Sequence, residues 1–398
     1  MYNRGTFCLN HQNFSEGRHI RQFLRSATLA LLLAVTSFGQ VNSGGKVHTY
    51  YVAADEVDWN YTPLGMDRMM AMPFTASAKL FTEAGPHRIG SIYRKAIYRE
   101  YTDDTFTQLK PRSPEWEHLG MLGPVLRAEV GDTIRVSFKN NGSHPFSMHP
   151  HGVFYVKQSE GAGYDDGESS EGKHGVPPGK THIYTWEVPE RAGPGPNDPS
   201  SVVWLYHSHA DELRDVESGL IGAILISRKG MAGRDGRPKD VDREFVTLFM
   251  IVDENTSWYL QHNIDTYTTD PKGVNKLETS VGDDAGNFFA FGAGFTGVNF
   301  RSTINGLMFA NMPIMTMKKG ERVRWYVLTM GEFGNIHTPH WHGNVVLHDG
   351  RRTDVILIGP AQMETVDMVP DNPGAWMYHC HIDEHMLTGM TALYKVEP

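Results

Sequence analysis

The chain has 398 residues, 40% of them hydrophobic and 21% charged, which suits two or three globular domains with cores of ordinary size. Its formal net charge is −9, and setting aside residues 1–43 leaves 33 basic against 45 acidic residues, or −12. An acidic surface argues against nucleic acid or an anionic membrane as partner, and no segment after residue 43 is long and apolar enough to span a bilayer.

In chain order, the first feature is a targeting signal. Arg18, Arg21 and Arg25 precede the apolar run from Ala27 to Val35, and Ser37-Phe38-Gly39 offers small residues for cleavage. Residues 1–43 therefore read as a signal segment, and the rest as a secreted, extracellular protein, periplasmic in a bacterium. Of the two cysteines, Cys8 falls in that segment, so Cys380 remains as a lone thiol with no disulfide partner.

Two later segments repeat one pattern. Pro124 is followed seven residues on by Gly131 and an alternating run to Arg135; Pro313 is followed by Gly320 and a run to Arg324. A histidine motif comes after each: Met148-His149-Pro150-His151-Gly152 and Pro339-His340-Trp341-His342-Gly343. Further on stand Trp204-Leu205-Tyr206-His207-Ser208-His209 and Trp376-Met377-Tyr378-His379-Cys380-His381. The pattern predicts two copies of one domain, 44–232 and 233–398, joined at the polar stretch Gly230 to Pro238. Runs such as Thr133–Phe138, Ile183–Val188, Ile221–Ile226, Phe245–Val252 and Val323–Leu328 have strand character, and helical periodicity is scarce. The expected fold is all-β, two Greek-key β-sandwiches, with residues 271–297 as a Gly-rich loop.

Ten of the 18 histidines after residue 43 fall in four clusters: His149/His151, His207/His209, His337/His340/His342 and His379/His381/His385. Residues i and i+2 on a strand share a face, so each His-x-His pair can present two imidazoles to a metal. Imidazole alone leaves Zn, Cu, Fe and Ni open. Cys380 narrows the choice. Lying between His379 and His381, it points to the opposite face and can bind a second metal with His337 and His385. A His₂Cys set with a distant thioether suits copper, and Met390 is the candidate thioether, with Met386 its rival.

The run from His337 to Gly343, together with His379 to Met386, resembles the signature pair of the multicopper oxidases. The resemblance implies cupredoxin-like domains and four coppers per functional unit. His337, Cys380, His385 and Met390 would hold the type 1 copper, and His149 and His340 the type 2. His151, His207, His209, His342, His379 and His381 would hold the binuclear type 3 pair. Ser208 occupies the position of Cys380, so the first domain would hold no type 1 copper. Segments Tyr50–Tyr61, Tyr98–Asp103, His118–Pro124, Ser218–Gly222, Asp253–Leu260 and Ile304–Gly306 are similar to ceruloplasmin and hephaestin, which carry six domains. With two domains this chain resembles the two-domain, small-laccase-like oxidases, whose homotrimers place domain one of one subunit against domain two of the next.

The implied activity is four-electron reduction of O₂ to water, with electrons entering at Cys380 and passing through its neighbours His379 and His381. Protons need an acid, for which Glu160, Asp165, Asp166 and Asp383 are candidates. For the reductant two classes stand. Glu384, directly before His385, matches an acidic residue that helps bind Fe²⁺ in the ceruloplasmin-like ferroxidases. Where those enzymes have Glu and His before the Ile304-Asn305-Gly306 segment, this chain has Gly297 and Ser302. A laccase-like oxidase of phenols or aromatic amines is the other class. A copper nitrite reductase and a non-catalytic copper carrier are the remaining alternatives.

Overall fold

The structure is a computed structural model that describes residues 44–165, 167, 174–277, 292–331 and 335–398. The expected signal segment, Cys8 and Asp166 lie outside the described residues, as does most of the 271–297 segment. Its described ends form a turn at Pro271–Gly273 and a helical turn at Phe295–Val298.

Each half of the chain builds two sheets with the same strand logic. In the first half, Ile92–Tyr101, Val47–Asn60, Thr133–Asn140 and Thr181–Glu187 lie side by side, with Val47–Asn60 and Thr133–Asn140 parallel. Opposite them lie Leu126–Glu129, Ile221–Ser227, Ser201–His207 and His149–Pro150. The second half repeats this. Phe300–Ile304, Arg243–Asp253, Val323–Thr329 and Met363–Met368 form one sheet, extended by Val346–His348 and Arg351–Thr353. Met315–Lys318, Thr391–Glu397, Gly374–Cys380 and Pro339–Trp341 form the other. The parallel contact of Leu126–Glu129 with Ile221–Ser227 recurs between Met315–Lys318 and Thr391–Glu397. All five runs read as strands are strands, Val188 alone falling one residue past its end.

The alternation of apolar residues fills each sandwich. Tyr98, Phe138, Trp186 and Tyr206 are fully buried in the first core, and Trp325, Tyr378 and Tyr394 in the second. Cys380 and Met390 belong to that second core. A third apolar cluster joins the halves, where Leu205, Ile221 and Leu225 pack with Val246, Met250 and Leu328. Ion pairs and hydroxyls lock the seam: Arg127 reaches Glu244 at 2.7 Å, Tyr326 donates to Glu244 at 2.8 Å, and Arg324 donates to Ser200 and Ser201. Among the described residues no helix is long and apolar enough to cross a membrane.

Candidate metal centre

Strand pairing brings the histidine motifs together. His149 lies opposite His207 where the strand Ser201–His207 meets His149–Pro150, and His340 lies opposite His379 where Gly374–Cys380 meets Pro339–Trp341. Cross-strand partners hold their side chains close enough to share a ligand. The strands end sooner than the i, i+2 argument assumed: His151 and His342 sit in turns, and His209 and His381 lie beyond their strands. The turns are fixed by glycine. Gly152 and Gly343 each follow the second histidine with φ near +75° (76° and 73°), and a Cβ there would strike the ring of Trp204 or Trp376 at 2.2 or 2.5 Å. The repeated Trp three residues before a His is thus the wall against which the glycine turn packs.

The imidazoles converge in two sets. In the first half His151 Nε2 lies 3.1 Å from His207 Nε2, and the ring of His149 is 5.1 Å from that of His209. In the second, His379 Nε2 lies 3.1 Å from His340 Nδ1 and 3.0 Å from His342 Nε2, with the His381 ring 5.2 Å from that of His340. Among the described residues, the groups of close ligand atoms are His149/His151/His207, His340/His342/His379 and His337/Cys380/His385, and none mixes the two halves.

Backbone carbonyls set the tautomers. His149 Nδ1 donates to Glu160 O at 2.7 Å, His207 Nδ1 to Ser208 O at 3.0 Å and His379 Nδ1 to Cys380 O at 2.7 Å. Each leaves an Nε2 lone pair facing its cluster, the arrangement a metal-binding imidazole needs.

The third set is buried. Because side chains alternate along a strand, Cys380 points into the core while His379 faces the four-histidine set. Cys380 Sγ is 3.8 Å from His337 Nδ1 and 3.5 Å from His385 Nδ1, which are 3.2 Å from each other. His337 Nε2 donates to Asn335 Oδ1 at 3.1 Å, leaving Nδ1 free. His385 sits in the short helix Asp383–Leu387, and Met390 is fully buried whereas Met386 is partly exposed. A thiol with two imidazole nitrogens, all facing one point, is a donor set that fits copper.

The first half contains the same cradle with different contents. Ser147 N donates to Ser208 Oγ at 2.9 Å where Thr338 N approaches Cys380 Sγ at 3.4 Å. Ser208 N donates to Leu220 O where Cys380 N donates to Met390 O. Phe146 and Leu213 occupy the sequence offsets of His337 and His385. Ser208 Oγ donates instead to Asp215 Oδ2 at 2.6 Å, and Trp258 Nε1 to Asp215 Oδ1 at 2.8 Å. The cradle is closed by hydrogen bonds and holds no thiolate or imidazole.

Two acids escaped the sequence reading. Glu212 lies 3.1 Å from His209 Nε2 and 3.9 Å from His207 Nε2, and Asp354 lies 3.6 Å from His340 Nε2. Glu212 was findable: it stands five residues after His207, as Glu384 stands five after His379. Glu160, proposed as a proton source, is held by Lys157 at 2.7 Å and Tyr164 at 2.9 Å, bonds that keep its carboxyl below the usual range despite desolvation.

Burial lowers the imidazole pKa values, to about 3 for His337 and about 4 for His385, His379 and His151, against 6.5 when exposed. Burial raises the Cys380 thiol, so a metal must displace its proton. Between about pH 4 and 6.5 the unfolded chain binds protons that the folded chain refuses, so stability rises with pH through this window and is lost as pH falls. Metal-free protein should therefore show a Tm that drops from about pH 7 to about pH 5. Carboxylates titrate there as well, so the comparison is with His337→Leu, in which thermal denaturation should give a shallower slope; equal slopes would contradict the assignment.

Sequence models described as multicopper oxidase match residues 119–231 and 268–398. Human ferroxidase HEPHL1 is 44% identical over 89% of this chain and 30% of its own length. Human hephaestin is 40% identical over 92% of the chain and 31% of its own length, and rat ceruloplasmin 40% over 88% and 32%. The chain thus spans about a third of the length of these relatives. Among solved structures, a multicopper oxidase superposes with a TM-score of 0.53 at 20% identity, covering 90% of this chain and 92% of that one. A copper nitrite reductase from Nitrosomonas europaea superposes at 0.52 and 19%, covering 88% and 94%; at such identities the likeness is one of fold. On the matched motifs and the sequence identity, the chain belongs to the multicopper oxidase family.

Proposed function

We propose that the chain is an exported oxidase that couples one-electron oxidation of a reductant to four-electron reduction of O₂ to water, using four coppers per functional unit. The observation that carries this reading is the convergence of Cys380, His337 and His385 on the strand that also supplies His379. His337, Cys380, His385 and Met390 hold the type 1 copper. His149 and His340 hold the type 2 copper, and His151, His207, His209, His342, His379 and His381 the type 3 pair. Copper when bound supplies the one-electron chemistry and the binding of O₂. The chain supplies the geometry: neutral imidazoles fixed by carbonyls, a buried thiol, and the covalent link from Cys380 to His379 and His381. Glu212 and Asp354 supply carboxylates against the histidine edges.

The two domains are 44–232 and 233–398, and each carries one half of the type 2 and type 3 ligands. A ring of three chains, each domain one facing the next chain's domain two, completes three such sites. O₂ uptake by the copper-loaded protein with a reductant present tests the whole; copper binding without uptake would leave a carrier in its place.

Two reductant classes fit. A relative is named a ferroxidase, and Glu384 lies beside His385. Ser302 brings no ligand for iron: it is buried and accepts a hydrogen bond from Thr388 Oγ1 at 2.6 Å. Fe²⁺, an oxygen-preferring cation, then rests largely on Glu384, while phenols and aromatic amines reach the His385 edge without it. Glu384→Ala should reduce kcat/KM for Fe²⁺ by about tenfold and leave that for a substituted phenol within about twofold. Equal losses on both substrates would show that Glu384 serves the fold or the copper rather than iron.

A further inference from the structure

A cleft of about 580 Å³ lies away from the histidine sets, on the segment that connects Ile92–Tyr101 to Leu126–Glu129. That volume is in the range of small-molecule sites. Its charge runs against the rest of the chain: Arg99, Lys110, Arg112 and Arg127 line it against Glu100 alone, four cations less one acid giving +3 in a chain of −9. Three of the cations are answered. Arg127 pairs with Glu244 at 2.7 Å, Lys110 with Glu100 at 2.8 Å, and Arg99 with Asp55 at 3.5 Å. Arg112 differs. Among the described residues its guanidinium donates to the carbonyl of Gly120 at 2.6 Å and to that of Leu122, and to no carboxylate. Those carbonyls fix its direction without cancelling its charge, and the residue remains exposed to an incoming ligand.

The apolar part of the lining is aromatic. Trp59 and Trp116 both border the cleft. Trp59 is anchored by its Nε1 donating to Gly306 O at 2.7 Å, and Trp116 by the Arg127 guanidinium 5.1 Å above its ring. Two immobilised indoles beside an uncompensated guanidinium select a flat ring carrying a negative group. The like charge of Arg99 also bears on Arg112, and a bound anion offsets that repulsion.

We propose that this cleft is a binding site for a small aromatic carboxylate, with Arg112 as the anion anchor and Trp59 and Trp116 as ring contacts. The site is separate from the copper ligands and stands whether or not the oxidase reading does.

The test is isothermal titration of the full-length, copper-loaded protein with 2-naphthoate, with its neutral counterpart 2-naphthalenemethanol, and with acetate. Saturable binding of naphthoate is expected, with both comparators at least about tenfold weaker: the alcohol lacks the charge-assisted hydrogen bond, worth a factor of that order, and acetate lacks the ring that meets the two indoles. Arg112→Gln should cost naphthoate at least about tenfold and leave the alcohol unchanged. Because Arg112 also braces two carbonyls, the same titration is made on Trp116→Leu, which should weaken naphthoate and alcohol alike. Added salt should weaken naphthoate only. Equal affinity for naphthoate and the alcohol, undiminished naphthoate binding by a folded Arg112→Gln protein, or no heat with any probe would each overturn the proposal; the last would mean that the cleft is closed in the assembled protein.

Discussion

Copper-loaded Cys380→Ser should lose its intense visible absorption and all oxidase turnover while keeping copper at the four-histidine sets. The absorption of a blue copper centre is charge transfer from a bound thiolate, and a serine hydroxyl neither ionises nor donates at that energy. The substitution should leave the fold intact, because the first half already carries the experiment out. Ser208 occupies the equivalent place, accepting from Ser147 N at 2.9 Å and donating to Asp215 at 2.6 Å. At position 380 the hydroxyl meets Thr338 N in the same way. Visible spectra, elemental copper analysis and O₂ uptake read the three outcomes. A variant that stayed blue would remove Cys380 from the metal site. The reverse change, Ser208→Cys, should create no blue colour, since Phe146, Leu213 and Leu220 supply no further ligand.

The second large effect is a rescue. His151→Ala and His342→Ala each damage one half of the histidine ligands, and each protein alone should be inactive. Co-expressed in a head-to-tail assembly, the two chains regenerate intact sites wherever an undamaged first half meets an undamaged second half of its neighbour. Random pairing gives about a quarter of the wild-type activity. Within a single chain no such recovery exists, because every chain carries one lesion. Activity and light scattering of the mixed preparation decide between the two. An inactive mixture of correct size would place both half-sites within one chain, and the ring would have to be abandoned.

Much of the candidate site is legible in the sequence. Its candidate ligands come from motifs in which sequence spacing and strand geometry say the same thing: Cys380 between two histidines must face away from them, and the duplicated Pro-to-Gly and Trp-to-His spacings announce a duplicated sheet. The all-β fold was legible for the same reason, since alternation with period two is a local property. The limit of the local argument also shows. His151, His209, His342 and His381 face their clusters from turns and strand ends, and Gly152 against Trp204, with Gly343 against Trp376, bends the chain there.

The sequence by itself determined the chemistry of the donor sets, the duplication and the missing thiolate in the first half, because residue type and spacing carry each of these. Only the tertiary structure decided what spacing cannot express. His149 with His207, and His340 with His379, are joined by register between strands distant in sequence, and the same register keeps the two sets in separate groups. The Ser208–Asp215–Trp258 bonds that fill the first cradle bring together residues from both halves of the chain, as do the ties of Trp59 to Gly306 and Arg127 to Glu244 beside the Arg112 cleft. Contacts of that range arise when the two sandwiches bury their shared apolar face, an event driven by area removed from water and marked by no local pattern.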